Sequence, residues 1–253
     1  MHQLTAERGR TDVDGGATAP AAGTTTYRVT NVRHVSADEV RHGLAYRAAK
    51  RGMDIGLSSV LIVLLLPVLL AAVVVVKASG LPLFFRQERV GRLGRTFTIY
   101  KFDTMRRAPF KLCVEWEDDR VPRACRWLRT FRVDELPQLW NILRGDMTLI
   151  GPRPLPVAVV ESSQGRPDYA IRELVRPGLT GLAKVRSPNS HFSLDPQMLI
   201  DDVDYVRNAG FVLDLRILAS TPAAVIRGLL AFRSARAEAN ASTSNPAAVS
   251  AET

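Results

Sequence analysis

Asp134 and Glu135 are adjacent acids in a chain whose formal net charge is +9. Lys101 and Arg129 precede them, Arg144 follows, and Arg153 sits between Pro152 and Pro154. As a helix N-cap, Asp134 would add about 1 kcal/mol of stability, with Glu135 a first-turn acid favoured by the helix dipole. Consecutive helical residues point about 100° apart, however, so the pair offers two directions rather than one doubled cap. Carboxylates among many cations suit phosphates and a divalent ion, since Mg²⁺ takes one or two carboxylates and lets substrate phosphates complete its shell. A carboxylate can also attack phosphorus and form an acyl phosphate. The stretch 152–154 would hold one guanidinium rigidly, in a form suited to phosphate oxygens.

The elements that must position these groups are legible in part. Leu136, Leu139, Trp140 and Leu143 fall at helical spacing and predict one apolar face. Pro137 fits a first turn and Gly145 a stop, which puts Asp134 at or next to a helix N-terminus. Upstream, "DDRVPRACRWLRTF" reads as a basic helix. Before it, Phe84-Phe85 opens an extended stretch, Gly91 to Gly94 is a turn, and "TFTIYKF" alternates as a strand, predicting a β-hairpin that carries Lys101. A phosphate-binding glycine loop would open a helix; this one opens a strand.

The uncharged run Ile55–Val76, "IGLSSVLIVLLLPVLLAAVVVV", is long enough to cross a bilayer, which takes on the order of 20 residues. Arg47, Lys50 and Arg51 precede it, and Lys77, Arg86 and Arg89 follow. Positive flanks mark the cytoplasmic side, and both ends qualify. Pro67 lies mid-run and frees the carbonyl of Val63, which Ser58 or Ser59 would help to satisfy only if the break is local. A kinked spanning helix and a re-entrant one both fit. Residues 1–45 and 233–253 read as small, polar and disordered. Phe211–Phe232 reads as two amphipathic helices broken before Pro222, in the membrane interface or packed on the core.

With 253 residues and 46% hydrophobic content the chain can build a sizeable core. A pI near 10.1 favours anionic partners. The two cysteines, Cys113 and Cys125, form no CxxC, and the four histidines are scattered, so a disulfide scaffold or a His-based metal site is not indicated.

"KRGMDIGLSSVLIVLLLPVLL", "FRQERVGRLGRTFTIYKFDTM", "LRTFRVDELPQLWNILRGDMTLIGPRPLP" and "RPGLTGLAKV" follow one another in an order and spacing that resembles the bacterial sugar transferases, monotopic polyprenyl-phosphate glycosyl-1-phosphate transferases. The resemblance covers about residues 46–232 and is to the family's small form, without the multi-span N-terminal region. It implies an α+β, mainly helical fold: a proline-broken re-entrant helix over 46–79, a catalytic domain over 80–232 with a small β-hairpin and interfacial amphipathic helices, and a catalytic face on the cytoplasmic side of the bacterial inner membrane. It implies transfer of a sugar-1-phosphate from a UDP-sugar to undecaprenyl phosphate, with release of UMP, as the first step of a bacterial glycan. Asp134 is then the nucleophile that forms a covalent phosphosugar–enzyme, Glu135 the metal-associated acid, and Mg²⁺ the cofactor. Lys101, Arg129 and Arg153 match basic positions lining the phosphate site, and Pro67 matches the membrane break. Membrane lipid is the further partner, homo-oligomerisation is compatible with the resemblance, and nucleic acid is not expected, since no reading motif is present.

Three positions depart from the family pattern. Asp103 stands where the family usually carries Arg, reversing a charge beside the proposed site. Gly181–Arg186 replaces the usual GLAQVNGR-type stretch, and Leu66 stands where some members place Ser. A membrane-bound scaffold or lipid-binding member without turnover is the alternative that these departures raise.

Overall fold

A computed structural model of the chain describes residues 43–106, 120–162, 167–187 and 196–244. The four histidines, Cys113 and nearly all of the proposed N-terminal extension lie outside them. Helix α1 (Leu44–Leu64) meets α2 (Leu66–Ala78) at a bend of 63°. Among the described residues no single helix is long and apolar enough to cross a membrane, but this bent pair is. The break sits at Leu65 (φ −91°, ψ 6°), and Pro67 occupies the first turn of α2, where its missing N–H is least costly. Ser58, one of the two serines expected to help the freed carbonyl, is buried with no hydrogen-bond partner for its Oγ.

Both ends of the pair dock on one body of protein. Asp54 of α1 is buried and accepts hydrogen bonds from Thr148 Oγ1 and the Leu149 amide, each at 2.9 Å. Arg51 donates to the carbonyls of Ile142 and Leu143, satisfying the end of α4 (Gln138–Arg144). On the α2 side, Ala72 and Val76 are buried in one cluster with Cys125 and Leu128 of α3 (Arg123–Thr130) and with Val133. Between these anchors Val60, Val63, Leu64, Leu66, Leu70 and Val74 are exposed.

The expected hairpin is present: β1 (Phe84–Val90) pairs antiparallel with β2 (Thr96–Phe102), with Phe85 opposite Lys101. The free edge of β2 is closed by a side chain. Asn141, fully buried on α4, donates to Thr98 O (2.8 Å) and accepts from the Tyr100 amide (3.2 Å). The buried face of α4 is therefore Gln138, Leu139, Asn141 and Ile142, whereas Trp140, assigned by spacing to the apolar face, is 56% exposed.

A second, parallel pair was not foreseen: β3 (Thr148–Ile150) and β4 (Gly178–Thr180). Between them run α5 (Val157–Ser162) and α6 (Pro167–Arg172). After β4 come α7 (Leu182–Arg186), α8 (Pro196–Asn208) and α9 (Phe211–Ser244). Ile150, Ile142, Leu139, Tyr205, Val206 and Ile217 share the main core. The two helices expected over Phe211–Phe232 are instead one helix, which carries Pro222 inside it and continues beyond Phe232. Asp214, Ile217 and Ala224 hold α9 on the core, while Val212, Leu215, Ile226 and Leu230 are exposed. An Asp214 hub fixes it there: Asp214 accepts from Tyr46, Lys50 and Tyr205 at 2.8, 2.7 and 2.8 Å.

Candidate active site

Asp134 does not cap a helix. It lies in a 3₁₀ turn, Val133–Glu135, while α4 begins three residues later with Pro137 at its N-cap and no side-chain cap. Arg132, just ahead of the turn, is left-handed (φ 58°), a conformation that a non-glycine residue adopts only where its surroundings enforce it. Val133 anchors the turn in the cluster shared with α2. The two carboxylates emerge from this short turn into different surroundings.

Glu135 is buried among cations. Its Oε1 lies 3.1 Å from Lys101 Nζ and 3.4 Å from Arg132 Nη1, and its Oε2 lies 3.6 Å from Lys184 Nζ. Burial alone would raise its pKa, but Lys101, Lys184, Arg132 and Arg153 together hold it well below the usual carboxylate range. Asp134 moves the other way. Burial first, and the charge of Glu135 second, push it up to about 6, against the pull of Lys101, Arg129 and Arg132. Its Oδ1 is buried and has no hydrogen-bond partner. A buried, unpaired carboxylate oxygen in a native fold calls for an explanation, and a reacting or ligand-binding role supplies one.

Lys101, Glu135 and Arg153 meet in one cleft with a cavity volume of about 50 Å³, lined also by Arg89, Arg132 and Lys184. Asp134 and Arg129 are not in its lining; they stand beside it, electrostatically coupled to each other, and Arg129 Nε is buried without a partner. Pro67 is remote in sequence and does not line the site; α2, whose first turn it occupies, packs in one cluster with Phe102, Leu128 and Val133. Burial drives Lys184 down to about 8, with Glu135 opposing the shift, and drives Arg89 down to about 10 with help from Arg153. Asp103 is buried beside Phe102 and accepts from the Met105 amide (3.4 Å), a local turn contact rather than a contact with the cleft cations.

The loop carrying Arg153 is held from two sides. A Cβ on Gly178 or Gly181 would overlap the backbone of Gly151, so glycine is required where β3 and β4 exit side by side. Arg172 of α6 donates to Arg153 O (2.8 Å) and pairs with Asp202 of α8 (2.7 Å), both side chains being buried. Sequence reasoning missed Arg89, Arg132, Arg172 and Asp202, and it flagged Lys184 only as a departure. The spacing of Arg132 three residues before Glu135 was a usable signal; the others come from distant segments and had none.

Among the described residues no group of three or more His, Cys, Asp or Glu is placed to hold a metal. The donor set fits only a hard cation taking one or two carboxylates, with phosphate and water oxygens completing its shell.

The family description "Bacterial sugar transferase" matches residues 45–228. A UDP-glucose:undecaprenyl-phosphate glucose-1-phosphate transferase of Caulobacter vibrioides is 41% identical over 180 residues, covering 68% of this chain and 67% of that protein. A UDP-N-acetylgalactosamine-undecaprenyl-phosphate N-acetylgalactosaminephosphotransferase of Aeromonas hydrophila is 38% identical, covering 72% of this chain and 45% of its own length. An undecaprenyl-phosphate galactose phosphotransferase of Salmonella typhimurium is 32% identical, covering 74% and 43% respectively. The chain thus spans two thirds of the first relative and under half of the other two.

Proposed function

From the premise that this chain belongs to the bacterial sugar transferase family, we propose that it transfers a sugar-1-phosphate from a UDP-sugar to undecaprenyl phosphate, the activity named for its relatives. The observation that carries the mechanism is Asp134 Oδ1, buried and unpaired beside a cleft whose other acid is saturated with cations. Asp134 attacks the sugar-linked phosphorus; the bond to UMP breaks, and UMP leaves with the bonding electrons. An oxygen of undecaprenyl phosphate then attacks the same phosphorus, the phosphorus–Asp134 bond breaks, and the free carboxylate returns. Lys101, Arg89, Arg153 and Lys184 stabilise charge on the transferring phosphoryl group. Arg129 lowers the repulsion that a carboxylate nucleophile meets from phosphates. Glu135, on giving up one of its cation contacts, would hold Mg²⁺ together with substrate phosphates, and the ion would supply further charge neutralisation.

The apolar helix pair is read as re-entrant at the cytoplasmic face of the inner membrane. Arg51 at one end docks on α4, which follows the Val133–Glu135 turn, Asp54 docks on β3 of the same core, and Ala72 and Val76 at the other end pack with Val133 itself. A spanning pair would leave its two ends on opposite faces of the bilayer, and one domain of this size cannot serve both. Exposed Trp127, Phe131 and Trp140 near the site suit the headgroup layer.

The test is UMP release from a panel of UDP-sugars by protein purified in detergent with Mg²⁺, with and without undecaprenyl phosphate. Release with one sugar, and a mass increment on Asp134 equal to that phosphosugar when lipid is withheld, are expected. A folded protein that releases no UMP from any donor would sink the reading and favour a non-catalytic member.

A further inference from the structure

A second cavity, of about 210 Å³, shares no lining residue with the active-site cleft. Five cations line it, Arg47, Lys50, Arg51, Arg92 and Arg176, against one acid, Asp54. Three of these charges have work within the fold. Lys50 is neutralised by Asp214 at 2.7 Å, and Arg51 donates to the last carbonyls of α4. Asp54 is committed to Thr148 and Leu149. Among the described residues, Arg47 and Arg176 make no ion pair and no side-chain hydrogen bond, and Arg92 has only Leu174 O, at 3.2 Å from its Nε. Burial, and then the charges of Arg47, Arg176 and Arg95, lower the pKa of Arg92; burial and then Arg51 lower that of Arg176, with Asp54 opposing and Arg47 adding to the shift. The cations thus gather around an open volume and repel one another. No catalytic group of the proposed reaction lines this cavity.

We propose that this cavity is a second binding site, for a phosphate oxyanion, and separate from the transferase cleft. Guanidinium groups from α1, from the β1–β2 turn and from the segment before β4 converge on it, the residue type suited to phosphate oxygens. The favoured source is the headgroup of an anionic phospholipid. Arg51 lies four residues before Ile55, the first exposed apolar residue of the bent pair after it, or about 6 Å along the helix. That places the cavity at headgroup depth, an assignment that rests on the membrane placement proposed above. Exposed Leu93 also lines the cavity and offers an apolar contact next to the charge. Bound lipid phosphate would relieve the repulsion and fasten the foot of α1 to the catalytic domain.

The experiment follows the melting temperature of the full chain in neutral detergent, at constant ionic strength, without donor or acceptor. Dioleoylphosphatidylglycerol, dioleoylphosphatidylcholine and inorganic phosphate are titrated separately into wild type, R47Q, R176Q and R216Q. Arg47 is exposed, so R47Q folds even if R176Q does not; Arg216 is an exposed cation outside the cavity. Phosphatidylglycerol should raise the melting temperature saturably, and R47Q and R176Q should need about tenfold more of it, as expected for loss of a charged hydrogen bond, while R216Q behaves as wild type. If inorganic phosphate gives the same variant-sensitive shift, the site stands and its occupant is a soluble phosphate. Equal responses from all four proteins, or equal weakening by R216Q, would overturn the site in favour of general surface attraction. Because turnover is not read, failure of the transferase reading would leave this result intact.

Discussion

Replacing Asp134 by Asn should abolish turnover and, at neutral pH, make the protein more stable. The carboxyl is pushed up from 3.8 to about 6 in the folded chain by burial and by Glu135. Between about pH 4 and pH 6 the folded state therefore holds a proton that the unfolded state has released, and stability falls as pH rises through that window. Above it the loss is complete. A shift of about two units corresponds to about 3 kcal/mol, at roughly 1.4 kcal/mol per unit, and this is an upper bound because Asp134 is partly exposed and screened. Asn keeps the shape, removes the buried charge and offers the unpaired position a neutral amide. Melting of wild type and D134N, followed by circular dichroism in detergent at pH 4.5 and pH 8, reads the effect. The gap should be small at pH 4.5, where about a third of the loss has developed, and D134N should melt several degrees higher at pH 8. A variant equally or less stable at pH 8, or a gap that does not grow with pH, would refute the view that Asp134 is an unpaired buried charge.

Wild-type turnover should rise with pH through about 6 as Asp134 ionises and fall above about 8 as Lys184 loses its proton; in K184M the upper limb should disappear and the KM for donor should rise. R172Q or D202N should each destabilise the protein by about 3–5 kcal/mol, since one buried charge is left alone, while the R172Q/D202N double variant should recover part of that and still turn over slowly because the Arg153 loop is no longer held. Single cysteines at Arg47 and Ser79 should both be labelled by an impermeant thiol reagent only in inside-out vesicles. Labelling of the two from opposite sides would make the bent pair a spanning helix.

The sequence made the hairpin, the proline break and the acid pair legible because each rests on local rules: alternation over 96–102, the fixed φ of proline, and a glycine stop at Gly145. It misjudged elements whose state is set at a distance. Trp140 has the right spacing for a buried face, but fully buried Asn141, bonded to both Thr98 and Tyr100, turns α4 so that Trp140 faces outward. Pro222 has the local mark of a break, yet Asp214, Ile217 and Ala224 hold α9 on the core across it. The parallel pair β3–β4 joins two three-residue strands nearly 30 positions apart, too short for a pattern to announce. The cations around Glu135 come from β2, the residue just ahead of the turn and α7, so only folding shows that they converge.

That convergence explains why two acids stand side by side in a basic chain. A cation within ion-pair distance of a carboxylate occupies its lone pairs and lowers its basicity, which keeps it ionised as an electrostatic partner and handicaps it as a nucleophile. Glu135 takes all three such contacts. Asp134, one residue away, feels Lys101, Arg129 and Arg132 only at longer range, and its pKa near 6 leaves it mostly ionised at neutral pH while its Oδ1 stays unpaired. The environments of two neighbouring carboxylates have been driven in opposite directions, and such a division separates the two roles in a site that runs acid–base or nucleophilic chemistry. Exchanging the order of the acids in a D134E/E135D variant would keep the net charge and the composition. It should still lose turnover, because the cations from β2 and α7 reach the second acid of the pair and not the first.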